Sequence, residues 1–215
     1  LILYTFQDMK IYCTSLIDYI IIDLYRFIIS WSTFMLGKQS KVLTDKQVKM
    51  MLNHLSLTRM SIRNQVIFLL SVKSGFRSKE ISGVKWKMVV DSEGNIGDSI
   101  HLTDEVTKGK SGRVIPMNPQ LKEMLLILYD IEKGNSNFDL ESSHIVRTER
   151  SDRSSPQSIV NLFQRWYSDL GFIGCSSHSG RRTFITNLSK KLSLVGGTLR
   201  DVQLLVGHKN LQTTQ

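Results

Sequence analysis

Four short segments hold most of the side chains that could bind or protonate a substrate. They occupy residues 74–80, 107–113, 178–184 and 206–208. In the first segment Arg77 precedes Glu80 by three residues, and alone the two could form an ordinary helical ion pair. In the second segment Lys108, Lys110 and Arg113 surround two glycines, which is typical of a solvated hairpin tip and also of a tip that contacts phosphate. Neither segment identifies a function by itself.

Two histidines stand at the ends of predicted helices. His178 and Arg181 lie one helical turn apart and share a face, so the histidine could cap the helix, pack in the core or take part in chemistry. His208 follows Gly207 at the end of another predicted helix, where the helix dipole favours a positive side chain. Each histidine therefore has a structural interpretation beside a chemical one.

Capping signals and apolar periodicity predict the helices that position these segments. Thr44 followed three residues later by Gln47 makes a capping box. Asn118-Pro119 and Ser155-Pro156 each place a capping side chain before a first-turn proline. The predicted helices span residues 44–54, 61–73, 118–128, 155–171, 179–192 and 198–206.

Between the second and third helices the pattern changes to short β-branched or alternating runs. They lie at residues 86–90, 99–106 and 113–117, and the connections at 91–95 and 108–112 have turn composition. These runs predict a small antiparallel sheet. The predicted fold class is therefore α+β, mostly α, with an amphipathic helix in front of it.

The composition narrows the choice of partner. The chain has 215 residues with 28 Lys and Arg against 19 Asp and Glu, a net charge of +9 and a pI near 9.6. Hydrophobic residues make up 41% and charged residues 22%, which excludes a disordered tail, a collagen-like fibre and a coiled-coil rod. The positive charge favours a polyanionic partner, nucleic acid first and an anionic membrane surface second.

Metals, cofactors and disulfides are not indicated. Cys13 and Cys175 stand alone, so neither a structural zinc site nor a secreted disulfide framework is predicted, and we expect a cytoplasmic protein. The sequence has no P-loop, no GxGxxG after a strand and no cluster of metal ligands.

The N-terminal segment is strongly apolar between residues 11 and 36. Asp18, Asp23 and Arg26 stand in its middle, and each would cost about 2.5–3.5 kcal/mol at a bilayer centre. The spacing favours an amphipathic helix that packs on a partner, with membrane association and a segment that never folds natively as alternatives. A short linker at residues 37–41 follows.

Taken together and in order, the four segments resemble the active site of the tyrosine recombinase (phage integrase) family, over about residues 41–215. The matching motifs are the Gly-x-Arg-x-x-Glu turn at 75–80 with Trp86, Lys108 ahead of Ile115-Pro116, His178-x-x-Arg181, and Gly207-His208 followed by Thr213-Thr214-Gln215. The resemblance implies site-specific DNA recombination or integration by metal-free strand cleavage and rejoining through a 3′-phosphotyrosine.

The resemblance also implies roles for particular residues. Arg77 and Arg181 would bind the non-bridging oxygens of the scissile phosphate, because a guanidinium is bidentate and stays protonated. Lys108 would be the general acid for the leaving 5′ oxygen, with Lys110 on the same tip as its rival. His178 would accept the proton of the nucleophile.

Other residues would support binding. His208 would hydrogen-bond the scissile phosphate, and Glu80 would orient Arg77 or its helix without transferring protons. Lys110, Arg113, Arg182 and Lys209 would contact the DNA backbone without reading sequence. The implied partner is double-stranded DNA, on which the family works as a homotetramer.

The resemblance places the attacking tyrosine two residues beyond Gln215. None of the six tyrosines in the chain matches it by motif, and Tyr167 is expected to pack in a helix. We therefore expect residues 41–215 to be a C-terminally truncated catalytic domain, and residues 1–40 to be a remnant of a core-binding domain. The alternatives are a catalytically inactive DNA-binding remnant of a mobile-element or phage integrase, and an interaction protein organised around residues 11–36.

Overall fold

Seven α-helices, one 3₁₀ turn and a two-stranded sheet form the part of the chain that the structure, a computed structural model, describes: residues 39–107 and 112–207. In chain order they are α1 (Asp45–Ser56), α2 (Ser61–Ser74), α3 (Ser78–Gly83), the 3₁₀ turn (Trp86–Met88), β1 (Ser99–Leu102), β2 (Arg113–Pro116), α4 (Pro119–Lys133), α5 (Pro156–Asp169), α6 (Ser179–Leu194) and α7 (Leu199–Val206). The predicted N-terminal amphipathic helix lies outside the described residues. The predicted class, mostly helical with a small antiparallel sheet, is confirmed.

The helices begin where the capping signals predicted. The Thr44 hydroxyl accepts the backbone N–H of Gln47, and the Gln47 side chain accepts the backbone N–H of Thr44 at 2.9 Å. Asn118 and Ser155 likewise accept backbone N–H groups in the first turns of α4 and α5. These side chains satisfy donors that a helix start leaves without partners.

Helix α2 is the centre of the core. The five consecutive residues from Val66 to Leu70 are fully buried, because α1, α4 and α6 all pack against this helix. Helix α6 packs tightly against it at Gly180, where a side chain would collide with Ser71. The end of α2 and the start of α6 are thereby held together.

The sheet is smaller than predicted. Strands β1 and β2 pair antiparallel, with Ile100 opposite Ile115 and both buried. The predicted strand at residues 86–90 is wrong, because Trp86 instead begins a 3₁₀ turn. Its ring is fully buried and lies 4.9 Å from the ring of Tyr129 in α4, so aromatic packing with a distant helix determines the local backbone.

Candidate active site

The first candidate arginine stands at a sharp reversal of the chain. Helix α2 ends at Gly75, whose φ of 69° is left-handed and therefore favours glycine. A side chain there would also collide with the ring of Phe184 in α6. The chain then turns so that Arg77 precedes α3, with its side chain 31% exposed. Arg77 therefore combines a fixed backbone with access to solvent.

Glu80 is a buried carboxylate that joins two arginines. Its side chain is only 1% exposed. Its Oε1 accepts one hydrogen bond from Nη1 of Arg77 and one from Nη1 of Arg113, each at 3.0 Å. Its Oε2 accepts a hydrogen bond from the backbone N–H of Arg77 at 2.8 Å and another from Nη2 of Arg113 at 3.0 Å. Each oxygen of this carboxylate therefore accepts two hydrogen bonds. The expected role of Glu80 in orienting Arg77 stays a prediction, which these contacts support.

Arg181 brings a third guanidinium to the same place from α6. It donates through Nη1 to the carbonyl of Gly75 and through Nη2 to the carbonyl of Val206 at 2.6 Å. Nη1 also lies 3.9 Å from Oε2 of Glu80. The end of α2, the start of α3, strand β2, α6 and the end of α7 thus meet at one cluster, which we call the arginine cluster: Arg77, Glu80, Arg113 and Arg181.

Burial and charge set the ionisation of this cluster. Burial by itself would raise the pKa of Glu80, but the hydrogen bonds and charge of Arg113, assisted by Arg77 and Arg181, lower it overall. Burial, with the nearby positive charge of Arg77, lowers the pKa of Arg181 to about 9. Both groups are therefore ionised at neutral pH. Three positive charges face one negative charge, which leaves a local excess suited to an anion.

His178 lies at the start of the same helix that carries Arg181. It immediately precedes α6 and is exposed, with Nδ1 3.4 Å from the hydroxyl of Ser177. The predicted pair on one helical turn is therefore present, with the imidazole facing solvent and the guanidinium buried. The predicted role of His178 as a proton acceptor stays a prediction.

Arg182 faces a different part of the chain. Its Nη1 donates to the backbone carbonyl of Ser40 at 2.9 Å. The hydroxyl of Ser40 lies 2.5 Å from that of Ser176. The chain entering α1 is thereby attached to the start of α6. Its predicted contact with the DNA backbone stays a prediction.

Four of the predicted site residues lie outside the described residues: Lys108, Lys110, His208 and Lys209. The structure describes the residues next to them. Thr107 is buried, and the backbone N–H of Gly112 donates to Asp104 at 2.8 Å. Gly207 ends α7 with a left-handed φ of 64°. The chain therefore enters both segments from fixed positions.

The surroundings of Arg113 differ from those expected from the sequence. We expected it at the DNA backbone, but its side chain is 6% exposed and bound to Glu80 through both Nη atoms. The alternation of strand β2 contained the signal, since Arg113 shares a face with the buried Ile115. A contact between Arg113 and DNA stays a prediction.

Both tyrosines in the described residues are packed in the core. Tyr167 is 2% exposed between the rings of Phe163 and Phe172, which confirms its predicted packing role. Burial raises the pKa of its hydroxyl. Tyr129 is 5% exposed and donates to the carbonyl of Gly94 at 3.3 Å. Neither is placed to attack a phosphate at the arginine cluster.

Known proteins are similar to this chain in sequence and in fold. The model of the phage integrase family matches residues 41–215. The chain belongs to the phage integrase family. A family relative, tyrosine recombinase XerA of Thermococcus onnurineus, is 30% identical over 175 residues, which are 81% of this chain and 56% of the relative. Tyrosine recombinase XerC of Thermodesulfovibrio yellowstonii is 27% identical over 71% of this chain and 48% of its own. The chain spans about half the length of these curated phage integrase relatives.

Solved structures of phage integrase relatives show the same fold. A crystal structure of XerA recombinase superposes with a TM-score of 0.64 at 20% identity, covering 81% of this chain and 58% of that one. XerH recombinase bound to its difH substrate superposes with a TM-score of 0.62 at 18% identity, covering 81% and 49%. The described residues therefore adopt the fold of a tyrosine recombinase catalytic domain.

Two kinds of feature are absent from the part of the chain that the structure describes. Within residues 39–107 and 112–207, no group of three or more His, Cys, Asp or Glu side chains could hold a metal ion. No helix in the described part of the chain is long and apolar enough to cross a membrane.

Proposed function

We propose that this phage integrase family member takes part in site-specific DNA recombination, by breaking and rejoining DNA strands without a metal ion. The single observation that carries the proposal is the arginine cluster. Three guanidiniums from separate elements meet around one buried carboxylate, and Arg77 among them is open to solvent. Such a site suits a phosphodiester, whose negative charge increases during the reaction.

Arg77 and Arg181 would bind the non-bridging oxygens of the scissile phosphate. Each guanidinium has five N–H donors and uses only part of them within the protein, so donors remain for a phosphate. Since the backbone and Glu80 already hold these groups, little reorganisation is needed when charge develops. Bidentate binding would also fix the direction from which a nucleophile attacks.

We assign the proton transfers to Lys108, with Lys110 as the rival, and to His178. Lys108 or Lys110 would protonate the leaving 5′ oxygen, because a lysine ammonium can act as a general acid. His178 would accept the proton of the nucleophile, and His208, directly after Gly207, would hydrogen-bond the phosphate. Lys110, Arg182 and Lys209 would bind adjacent phosphates of double-stranded DNA.

The proposed nucleophile is a tyrosine. A tyrosine two residues beyond Gln215 would attack the phosphate and form a 3′-phosphotyrosine. Residues 41–215 would then be a catalytic domain whose nucleophile lies in a continuation, residues 1–40 a remnant of a core-binding domain, and the working form a tetramer on DNA. Reading the coding sequence past Gln215 tests this, and a different residue at that position would count against it.

DNA binding by the chain itself tests the phosphate site. We expect affinity for a duplex, measured by fluorescence anisotropy, to fall steeply with salt. Arg77→Ala and Arg181→Ala should each weaken binding and reduce the salt slope by about one. Circular dichroism would show whether each variant is folded.

The net charge of +9 favours a second candidate, an inactive protein that binds DNA without cutting it. In that case affinity would still depend steeply on salt, while Arg77→Ala and Arg181→Ala would barely change it. The same titrations therefore separate the two functions.

A further inference from the structure

The side chain of Arg113 is buried and paired with Glu80, whereas the side chain of a surface residue that contacts DNA would be exposed. Resting on the function proposed above, we propose that Arg113 is a positioning residue, which acts through Glu80 to hold Arg77 and Arg181 in place for a phosphate. It would then contribute to catalysis without itself touching the substrate.

The hydrogen bonds show how Arg113 could act at a distance. Its two Nη atoms donate to different oxygens of Glu80, each at 3.0 Å, which fixes the plane of the carboxylate. Arg77 donates to the same Oε1 that Arg113 uses, and Arg181 lies nearest to Oε2. If the fork of Arg113 were lost, the carboxylate could rotate towards either remaining arginine. That rotation would move the groups proposed to bind phosphate.

Burial separates this arrangement from an ordinary surface ion pair. The side chains of Arg113 and Glu80 are 6% and 1% exposed, so water screens their interaction poorly. By contrast, Arg59 pairs with Glu149 at 2.7 Å, but its side chain is 83% exposed. The same chemical change at these two arginines should therefore have very different consequences.

Arg113 also lies beside the end of α7. It is the first residue of β2 and follows Lys108 and Lys110 in the chain. A Cβ added to Gly207 would lie 3.0 Å from Nη1 of Arg113, so this guanidinium packs against the backbone that leads to His208. One side chain thus contacts Glu80 and the end of α7 together.

Lysine cannot reproduce this contact. An ammonium is a single point of donation on a flexible stem, whereas the planar guanidinium reaches both carboxylate oxygens at once. Arg113→Lys keeps the charge and removes the fork, and Arg113→Gln removes both. Arg59→Gln is the matched control for loss of an arginine charge.

The functional readout is release of p-nitrophenolate from a nicked duplex whose 3′ end carries a p-nitrophenyl phosphodiester. Water attacks phosphorus, the bond to p-nitrophenolate breaks, and the water proton passes to solvent. This substrate needs neither a tyrosine nor a general acid, so the 215-residue chain can be used as it is. The maximal rate at saturating protein and the half-saturating concentration are measured separately.

We expect Arg113→Gln to lower the maximal rate about 10- to 100-fold, the cost of misplacing catalytic groups by about 1 Å. The half-saturating concentration should change less than about threefold, since bulk DNA affinity comes from other cations. Arg113→Lys should recover little of the rate, and Arg59→Gln should match wild type. In a Glu80→Gln background, Arg113→Gln should cost less than about twofold more, because both changes remove one interaction.

A second readout does not depend on DNA. In ¹⁵N spectra of the side chains, the Nε–Hε signal of Arg77 should shift in Arg113→Lys and Arg113→Gln and stay unchanged in Arg59→Gln. An unmoved Arg77 signal in both folded variants would overturn the role of Arg113, whatever the chain does to DNA. If the wild-type chain releases no more p-nitrophenolate than Arg77→Ala, the arginine cluster does not activate a phosphodiester. The proposed phosphate site then fails, while the Arg77 signal still decides the role of Arg113.

Discussion

Replacing Glu80 by Gln tests whether its carboxylate holds the arginine cluster together. Glutamine keeps nearly the same shape but removes the charge and puts an NH₂ group where a second acceptor stood. Arg113 donates to both carboxylate oxygens, so one of its Nη atoms would then face another donor. Arg113 and Arg181, 6% and 7% exposed, would remain buried without a compensating charge.

The size of the effect follows from that burial. Removing one partner of a buried ion pair costs about 3–5 kcal/mol, because the other charge stays desolvated. For a domain of this length, that cost corresponds to a fall in Tm of about 6–20 °C. The matched control is Glu141→Gln. Its carboxylate pairs with Lys87 at 3.2 Å but is 73% exposed, so we expect a change within about 0.5 kcal/mol.

Urea denaturation across pH measures both the size and the origin of the effect. The pKa of Glu80 is lower in the folded chain than its ordinary value near 4.5. Its charge therefore contributes fully to stability above that value, and the contribution is lost as pH falls through the lowered folded pKa. The difference in unfolding free energy between wild type and Glu80→Gln should be constant from neutral pH to about 5. It should shrink at more acidic pH, where wild-type Glu80 becomes protonated.

Two results would show that the charge of Glu80 does not hold the arginine cluster together. A loss below about 1 kcal/mol at neutral pH would mean that the carboxylate does not compensate buried arginine charge. A loss that persists undiminished at pH values where Glu80 is protonated would assign the cost to shape rather than to charge.

Three further substitutions have expected outcomes. Tyr167→Phe removes a buried hydroxyl that has no hydrogen-bond partner among the described residues. Urea denaturation should therefore show a change in unfolding free energy within about 1 kcal/mol, and DNA affinity should be unaltered. A large loss of stability would mean that the hydroxyl makes a stabilising contact. Gly75→Ala forces a side chain into a left-handed position against Phe184 and should cost more than about 1 kcal/mol. It should also weaken duplex binding, because Arg181 donates to the Gly75 carbonyl; normal stability and binding would contradict this. Arg182→Gln should lower affinity for all duplexes alike and reduce the salt slope by about one if Arg182 contacts phosphate; an unchanged slope would leave it only its bond to Ser40.

Local signals in the sequence accounted for the helices well. Thr44 with Gln47, and Asn118 before Pro119, are capping patterns whose hydrogen bonds form within one turn, so no distant contact is needed to read them. The 3₁₀ turn at Trp86 could not be read this way. Its conformation depends on burial against Tyr129 and Phe138, residues about 40 to 50 positions further along the chain.

In the candidate site, too, the sequence predicted the residues placed by local structure and missed a contact between distant residues. Motif order and spacing located Arg77, Glu80 and Arg181, because their relation to the chain turns is local or one helical turn long. The contact between Arg113 and Glu80 joins residues 33 positions apart and exists only when β2 lies beside α3. The available signal was a charged residue on the buried face of a strand. It indicates that the buried charge needs a partner, but not which residue that partner is.

In the proposed function, the arginine cluster binds a phosphate that a tyrosine attacks. The most direct measurement uses the chain continued past Gln215 as its coding sequence specifies, mixed with a randomised library of nicked duplexes and then denatured. We expect a protein–DNA complex that survives denaturation and is lost in Arg181→Ala. A folded, DNA-binding protein that forms no such complex with any duplex in the library would contradict attack by a tyrosine at this cluster.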